Sequence, residues 1–357
     1  MCTCKEDVRI LEVCLSPDLG GLELYMLRCA RYFNARGVIA RGSKLGEYFE
    51  KERLAHHKIG RKNPFALAKI IDTCKADVLH VHWTKDIPVV VLAKLLSCQK
   101  PKIVQTRHMH MTRFKSDFYH RFLYKNIDSI IAVTDLVKEQ LEKFIPTEIR
   151  PKIIRSYIGV EKSDVLAQEE KQRLRDKFGV KDEFLVGIFG RIEEAKGQLI
   201  VLEAVKKAKE SGFSVKTLVV GGCMDEEYCQ DLKRDFKDDL FVGFVDNSKQ
   251  LMQICDCVVL ATKKETFGLV LIEAMSVGVA VLASNSGGPR EIIEDGFSGL
   301  LFESMDSDDL YAKLKLLIGD VKTRERLALS GQKRAQEMFD GLKQFEEVGK
   351  ILGEICE

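Results

Sequence analysis

FLVGIFGRIEEAKGQLIVLEAVKKAKESGFSVKTLVVGG (184–222) decides the fold. Two continuous apolar runs, FLVGIFG (184–190) and SVKTLVVGG (214–222), flank an amphipathic helical stretch. A strand with no polar alternation is buried on both faces, and strands joined through helices lie parallel in a sheet covered on both sides. The same alternation continues downstream through LFVGFV (240–245), CVVLAT (257–262), AVLASN (280–285) and GLLFE (299–303). Upstream it runs through VRILEVCLS (8–16), GVIAR (37–41), DVLHVHW (77–83), KIVQTRH (102–108), SIIAVT (129–134) and KIIRSYIG (152–159). Helical patterns such as LELYMLRCARYFNA and PFALAKIIDTCKA separate these runs.

The fold class is therefore α/β, with two successive Rossmann-like, doubly wound parallel-sheet domains. At 357 residues the chain is long enough for two cores. The first domain is predicted over residues 1–162 and the second over 163–338, with a hinge in the polar stretch EKSDVLAQEEKQRLRDKFG that follows Val160. The last ~50 residues read as helix only. In the closing segment MFDGLKQFEEVGKILGEICE, Phe345, Val348, Ile351 and Leu352 fall at helical spacing. Two such domains facing each other are expected to bind a ligand in a central cleft, because open parallel sheets bind at the carboxyl ends of their strands.

Composition narrows the function. A formal net charge of +2 argues against a dedicated nucleic-acid binder. Met1 to Ile10 lacks an apolar core and does not read as a signal peptide. The best apolar run, Ile87 to Leu96, is too short for a membrane span and is interrupted by Lys94. The eleven cysteines, among them the Cys2/Cys4 and Cys255/Cys257 pairs, lack zinc-site spacing. They are expected to be reduced, mostly buried small hydrophobes, and the protein cytoplasmic.

Four loops carry candidate chemistry, each directly after a strand. SPDLGGLEL (16–24) places Gly20 and Gly21 at a helix N-terminus, where free amides and the helix dipole favour an anion. GRIEEAKG (190–197) brings Arg191 and Lys196 to a strand-to-helix junction; a planar guanidinium fork and a point charge together suit a diphosphate. In KKETFGLVLIEAMSVGVAVLAS (263–284), Glu265 stands in the loop, Gly268 opens a helix, and Glu273 falls inside LVLIEAM. A carboxylate among such neighbours needs a hydrogen-bonding partner, and the vicinal hydroxyls of a ribose supply one. The amides of Phe267, Gly268 and Leu269 face the same ligand in this reading. SNSGGPREIIEDG (284–296) is a further tight turn, for which a loop stop suffices.

Taken together, the Arg/Lys pair, the two glutamates with seven residues between them, EAMSVGVAVLAS and SGGPREII resemble the large retaining glycosyltransferase family four. The likeness spans nearly the whole chain and is strongest over 184–303. It implies the GT-B fold, with a nucleotide-sugar donor bound mainly by the second domain and the C-terminal helix (339–357) packing back on the first. It implies that Arg191 and Lys196 hold the donor diphosphate, Glu273 the ribose and Glu265 the donor sugar, with Gly268 and Leu269 giving backbone amides. Gly20 and Gly21 match the family's glycine loop near the phosphates. His108 matches a histidine that orients the reacting sugar, and FVGFVDN (241–247) the segment cradling the base through the backbone of Val245. Two departures are RSYIGVE (155–161), where the hinge usually reads Pro-Asn-Gly, and Thr266, where a small residue is usual.

The resemblance implies transfer with retention by front-face displacement, the leaving phosphate helping to deprotonate the acceptor. The expected substrates are a UDP-sugar and a saccharide or lipid-linked glycan, in lipopolysaccharide or other surface-glycan synthesis, with no cofactor and no metal. His80 and His82 share a strand face but make an incomplete ligand set with no carboxylate at convincing spacing. Asp306-Ser307-Asp308 reads as a helix N-cap. From Lys100 to Lys125, seven basic residues face only Asp117, and Phe114, Phe118 and Phe122 recur every four residues. That predicts an amphipathic helix over 107–125, packed on the sheet or lying on an anionic membrane. The alternatives are a nucleotide-sugar epimerase of the same fold, which needs acids and bases not found beyond Glu265, and a non-catalytic sugar-nucleotide-binding protein. An NAD-dependent oxidoreductase lacks its glycine fingerprint.

Overall fold

The computed structural model describes residues 8–357; the Cys2/Cys4 pair and most of the leading segment lie outside them. The chain divides into two compact units. Unit 1 comprises the chain up to Ile158 together with Leu342–Glu357, and unit 2 is the continuous run Gly159–Gly341. The divisions thus fall four residues before the predicted hinge boundary at 162/163 and three after 338/339. The stretch 161–179 belongs wholly to unit 2 and ends in a helix.

Unit 1 alternates β1 (Ile10–Cys14), α1 (Gly21–Tyr32), β2 (Arg36–Ala40), α2 (Leu45–Lys51), β3 (His56–Ile59), α3 (Pro64–Cys74) and β4 (Val78–Val81). It continues through α4 (Ile87–Leu96), β5 (Lys102–Arg107), α5 (Phe118–Lys125), β6 (Ser129–Ala132), α6 (Asp135–Phe144) and β7 (Lys152–Arg155). Its seven strands pair in the order β3-β2-β1-β4-β5-β6-β7, all parallel. Strand β3, HHKI, escapes a reading by apolar runs because it is a short edge strand with three basic-type side chains.

Unit 2 opens with α7 (Gln168–Lys177) and continues β8 (Phe184–Phe189), α8 (Gln198–Glu210), β9 (Val215–Val220), α9 (Glu226–Asp235), β10 (Leu240–Gly243) and α10 (Ser248–Met252). Then follow β11 (Cys257–Leu260), α11 (Leu269–Ser276), β12 (Ala280–Ser284), α12 (Pro289–Ile292), β13 (Leu300–Phe302), α13 (Ser307–Gly319) and α14 (Val321–Met338). The sheet is parallel in the order β10-β9-β8-β11-β12-β13. The Asp306 side chain accepts from the amides of Asp308 and Asp309, so it caps α13 as its position suggests.

The last helix, α15 (Gly341–Glu354), returns the chain to unit 1. Its buried Val348, Ile351 and Leu352 pack with Val78, Val104 and Ile131, covering one face of that sheet. Burying such side chains contributes about 1.5–3 kcal/mol each. Two hydrogen bonds fix the helix: Ser156 Oγ donates to Glu347 at 2.6 Å, and Gln344 Nε2 to the Tyr25 hydroxyl at 2.6 Å.

Two expectations need correction. The basic segment is helical only from Phe118, where Asp117 caps the chain by accepting from the His120 amide. Phe114 therefore precedes the helix; it and Phe122 pack against the core, while Phe118 is 86 % exposed. The cysteines are also not all reduced, because Cys223 and Cys229 form a disulfide across the β9–α9 loop. A turn brings the first strand end and the opening turn of the helix within bonding reach, which spacing alone does not reveal. Among the described residues, no helix is long and apolar enough to cross a membrane.

Candidate active site

In a doubly wound sheet, ligands bind where the strand order reverses. In unit 2 that point lies between β8 and β11. GRIEEAKG follows β8 and KKETFG follows β11, so the two loops singled out from sequence flank the reversal.

Backbone contact, rather than side chains, shapes this ground. Gly190 has φ +138° and Gly221 φ +159°, and a Cβ on Gly221 would stand 1.8 Å from the Gly190 carbonyl. Only glycines let the loops after β8 and β9 touch. Beyond them, the Ile192 amide donates to Gly222 at 2.9 Å, while buried Gln198 donates from Nε2 to the Arg191 carbonyl at 2.8 Å. Arg191 is thereby held by its backbone while its side chain stays half exposed, 3.5 Å from Glu193.

Lys196 ends a short 3₁₀ turn, and its ammonium lies 3.4 Å from Glu265 Oε2. The other Glu265 oxygen accepts from the Thr266 amide at 3.1 Å. The Glu265 carbonyl receives the Gly288 amide at 3.0 Å, and a Cβ on Gly287 would come within 2.1 Å of that carbonyl oxygen. A Cβ on Gly288 would meet the Thr266 carbonyl at 2.4 Å and Phe267 Cα at 2.5 Å. SGGP is therefore more than a loop stop: it is the seat on which the Glu265–Gly268 loop rests. Phe267 is buried edge-to-face against Phe339. Gly268, at φ +106°, caps α11, which puts the amides of Leu269 and Val270 at the helix N-terminus, while that of Leu271 donates to the Gly268 carbonyl at 2.9 Å. Glu273 lies half-buried on the same helix. Val245, also half-buried, follows β10, beside the Gly221–Gly243 backbone bond. Arg191, Lys196, Glu265, Phe267, Gly268, Leu269 and Glu273 thus all lie on the loops and helix that border one strand reversal.

Gly20, Gly21 and His108 belong to unit 1, whose strand order reverses between β1 and β4. Gly20 and Gly21 open α1 directly after β1. Buried Asp86, following β4, accepts from the Leu15 amide at 2.7 Å, and burial pushes its carboxyl up to about 7, with nearby Glu23 adding to the rise. His108 is half-buried at the end of β5, and its Nε2 is enclosed without a hydrogen bond. Burial drives its imidazole well below the usual histidine range, so the ring is neutral. Tyr25 and His82 adjoin it, with ring centroids 5.1 and 5.9 Å away.

The structure supplies a carboxylate that sequence spacing withheld from His80 and His82. Glu12 reaches both from the neighbouring strand, and Cys29 of α1 completes a buried cluster whose donor atoms lie within 4.8 Å of one another. Nothing in the linear order of Glu12 and His82 signals that contact; only the β1–β4 pairing creates it.

Comparison with known proteins agrees with this architecture. Residues 170–334 match the family model for glycosyl transferases group 1, and residues 12–134 that for glycosyl transferase 4-like domains. N-acetyl-alpha-D-glucosaminyl L-malate synthase of Bacillus anthracis is 27% identical over 314 residues, covering 82% of this chain and 80% of that protein. The capsular polysaccharide biosynthesis glycosyltransferase CapM of Staphylococcus aureus is 27% identical over 234 residues, 61% of this chain and 60% of the relative. Among solved structures, Anabaena HepE in complex with UDP superposes with a TM-score of 0.86 at 21% identity, over 97% of this chain and 100% of that one. The same Anabaena protein has also been crystallised with UDP-glucose.

Proposed function

This chain belongs to the group 1 glycosyl transferases and has their GT-B fold, and on that premise we propose that it moves a sugar from a nucleotide diphosphate sugar to a saccharide or lipid-linked glycan. The observation that carries the reading is the convergence of Arg191, Lys196, Glu265 and the N-terminus of α11 on one strand reversal. Two cations and a helix N-terminus suit a diphosphate, and they neutralise the charge that grows as it departs. Lys196 shares its charge with Glu265, so the donor enters a site already balanced. Glu273 takes the ribose hydroxyls, Glu265 the donor sugar, and the backbone at Val245 the base. UDP is the favoured nucleotide, since a structural neighbour binds UDP and UDP-glucose.

In unit 1, the amides of Gly20 and Gly21 serve the phosphates, and neutral His108 orients the sugar rather than acting as a base. Transfer proceeds with retention, the leaving phosphate accepting the acceptor's proton, and needs no metal. The relative CapM acts in capsular polysaccharide biosynthesis, which favours a surface glycan, lipopolysaccharide included, as the product. The enzyme works in the cytoplasm, with the acceptor at the membrane surface.

Thermal unfolding with UDP-, GDP- and ADP-sugars tests donor binding, because a ligand specific to the native state raises the midpoint by mass action. A shift with UDP-sugars that Glu273→Ala abolishes supports the reading; no shift with any nucleotide class sinks it. Product anomers read by NMR decide retention, and turnover in EDTA decides the metal.

A further inference from the structure

The reversal point of unit 1 holds a polar cluster that the donor chemistry above does not use. Glu12 on β1 and His80 and His82 at the end of β4 are fully buried there. One oxygen of Glu12 lies 2.9 Å from His80 Nδ1 and 2.6 Å from His82 Nε2, while His80 Nε2 lies 2.7 Å from the Thr106 hydroxyl. With Cys29 these groups have the composition of a metal site. Nitrogen and oxygen ligands on a tetrahedral ion with bonds of ~2.0–2.1 Å stand roughly 3.3 Å apart, however. Separations of 2.9 and 2.6 Å are instead those of charge-assisted hydrogen bonds.

The protons can be placed. Burial opposes ionisation of Glu12, yet His80 and His82 hold its carboxyl down at about 2, so it only accepts. Burial, aided by His80, lowers the His82 imidazole to about 4 against the pull of Glu12, so the ring is neutral above that pH. Its single N–H points to Glu12 from Nε2, and Nδ1 is left as a bare acceptor. That atom is buried without a hydrogen bond in the protein, as is Nε2 of adjacent His108. Charged and titratable groups around the two rings are Glu12 from β1, His80 from the same strand, Tyr25, Arg28 and Cys29 from α1, and Arg107 from β5. None of these bonds either orphaned nitrogen.

We propose that Glu12 is a positioning residue for transfer. By accepting the Nε2–H hydrogen bond of His82, it presents His82 Nδ1, beside His108 Nε2, to a sugar hydroxyl at the strand reversal of unit 1. The inference rests on the glycosyltransferase reading for its substrate class. Its chemistry is that of a carboxylate fixing an imidazole tautomer so that the far nitrogen acts on a ligand.

Nitrogen-15 NMR of histidine-labelled wild-type protein between pH 5 and 8 tests the tautomer without any substrate. A neutral His82 protonated at Nε2 throughout is expected; an Nδ1–H tautomer or an imidazolium at pH 7 overturns the proposal. Glu12→Gln keeps the shape but turns a donor toward Nε2, driving the proton to Nδ1. Its kcat should fall about 10²-fold or more, as when the partner of a catalytic histidine is made an amide, with the donor KM and the melting midpoint little changed. Glu12→Asp, which remains an acceptor, should recover part of the lost rate. A folded Glu12→Gln enzyme with wild-type kcat overturns the proposal. So does equimolar zinc in the purified protein, or a cobalt(II)–thiolate absorption on adding cobalt, either of which makes the cluster a metal centre. Failure of the wild type to transfer to any acceptor would end the function reading and, with it, the substrate side of this one. The tautomer result would stand on its own.

Discussion

At the scale of single residues, glycines without a side chain of their own set the geometry of the side chains that matter. Gly288→Ala would push a methyl into the Thr266 carbonyl and Phe267 Cα, at 2.4 and 2.5 Å. We expect a loss of about 1–3 kcal/mol in urea unfolding, as overpacking usually costs, and weaker stabilisation by UDP-sugars. Asp86 gives a pH signature. Its folded pKa of about 7 stands above the ordinary 3.8, so the contribution it makes is present in acid and is lost as pH rises from about 4 through about 7. Asp86→Asn, which can still accept from the Leu15 amide, should flatten that part of the profile; urea titrations at pH 5 and pH 8 compare the two. Sequence made Arg191, Lys196, Glu265 and Glu273 legible because each follows a strand within a short motif. Glu12 and the Cys223–Cys229 bond were not, since one depends on strand pairing and the other on a turn.

At the scale of elements, the buried strands were readable because continuous apolar runs have few other uses. The polar edge strand β3 was missed for the same reason. Phenylalanines at four-residue spacing gave a helix that starts too early, because periodicity does not register the cap at Asp117. The real α5 leaves Phe118 86 % and Tyr119 50 % exposed beside Arg121 and Lys125. An exposed aromatic among cations suits the interface of an anionic bilayer. Co-sedimentation should therefore show binding to phosphatidylserine-containing vesicles that weakens with salt, binding that Phe118→Ser reduces while the melting midpoint holds. Equal pelleting of the variant would remove α5 from membrane contact.

At the scale of the molecule, the two units differ in how the chain builds them. Unit 2 is a single run, and its two ends meet: the Val160 amide donates to Phe339 at 2.9 Å and the Gly341 amide to Val160 at 3.0 Å. A fragment of residues 159–341 should fold cooperatively on its own and retain the stabilisation by UDP, which calorimetry of the fragment checks. Unit 1 is discontinuous, and a chain ending at Asp340 would uncover Val78, Val104 and Ile131. The helical tail was legible from sequence; that it completes the first core follows from the apolar stripe only once the sheet's bare face is known.

Helix α15 has a further consequence during synthesis. Translation runs from the N-terminus, yet α15, which the N-terminal unit needs, is made only after the whole of Gly159–Gly341. Gly159–Gly341 is complete in the nascent chain before α15 has been made, whereas the earlier half waits with one face of its sheet uncovered until that helix follows. The half made first is finished last, and during that interval it is the part of the nascent chain a chaperone would have to shield.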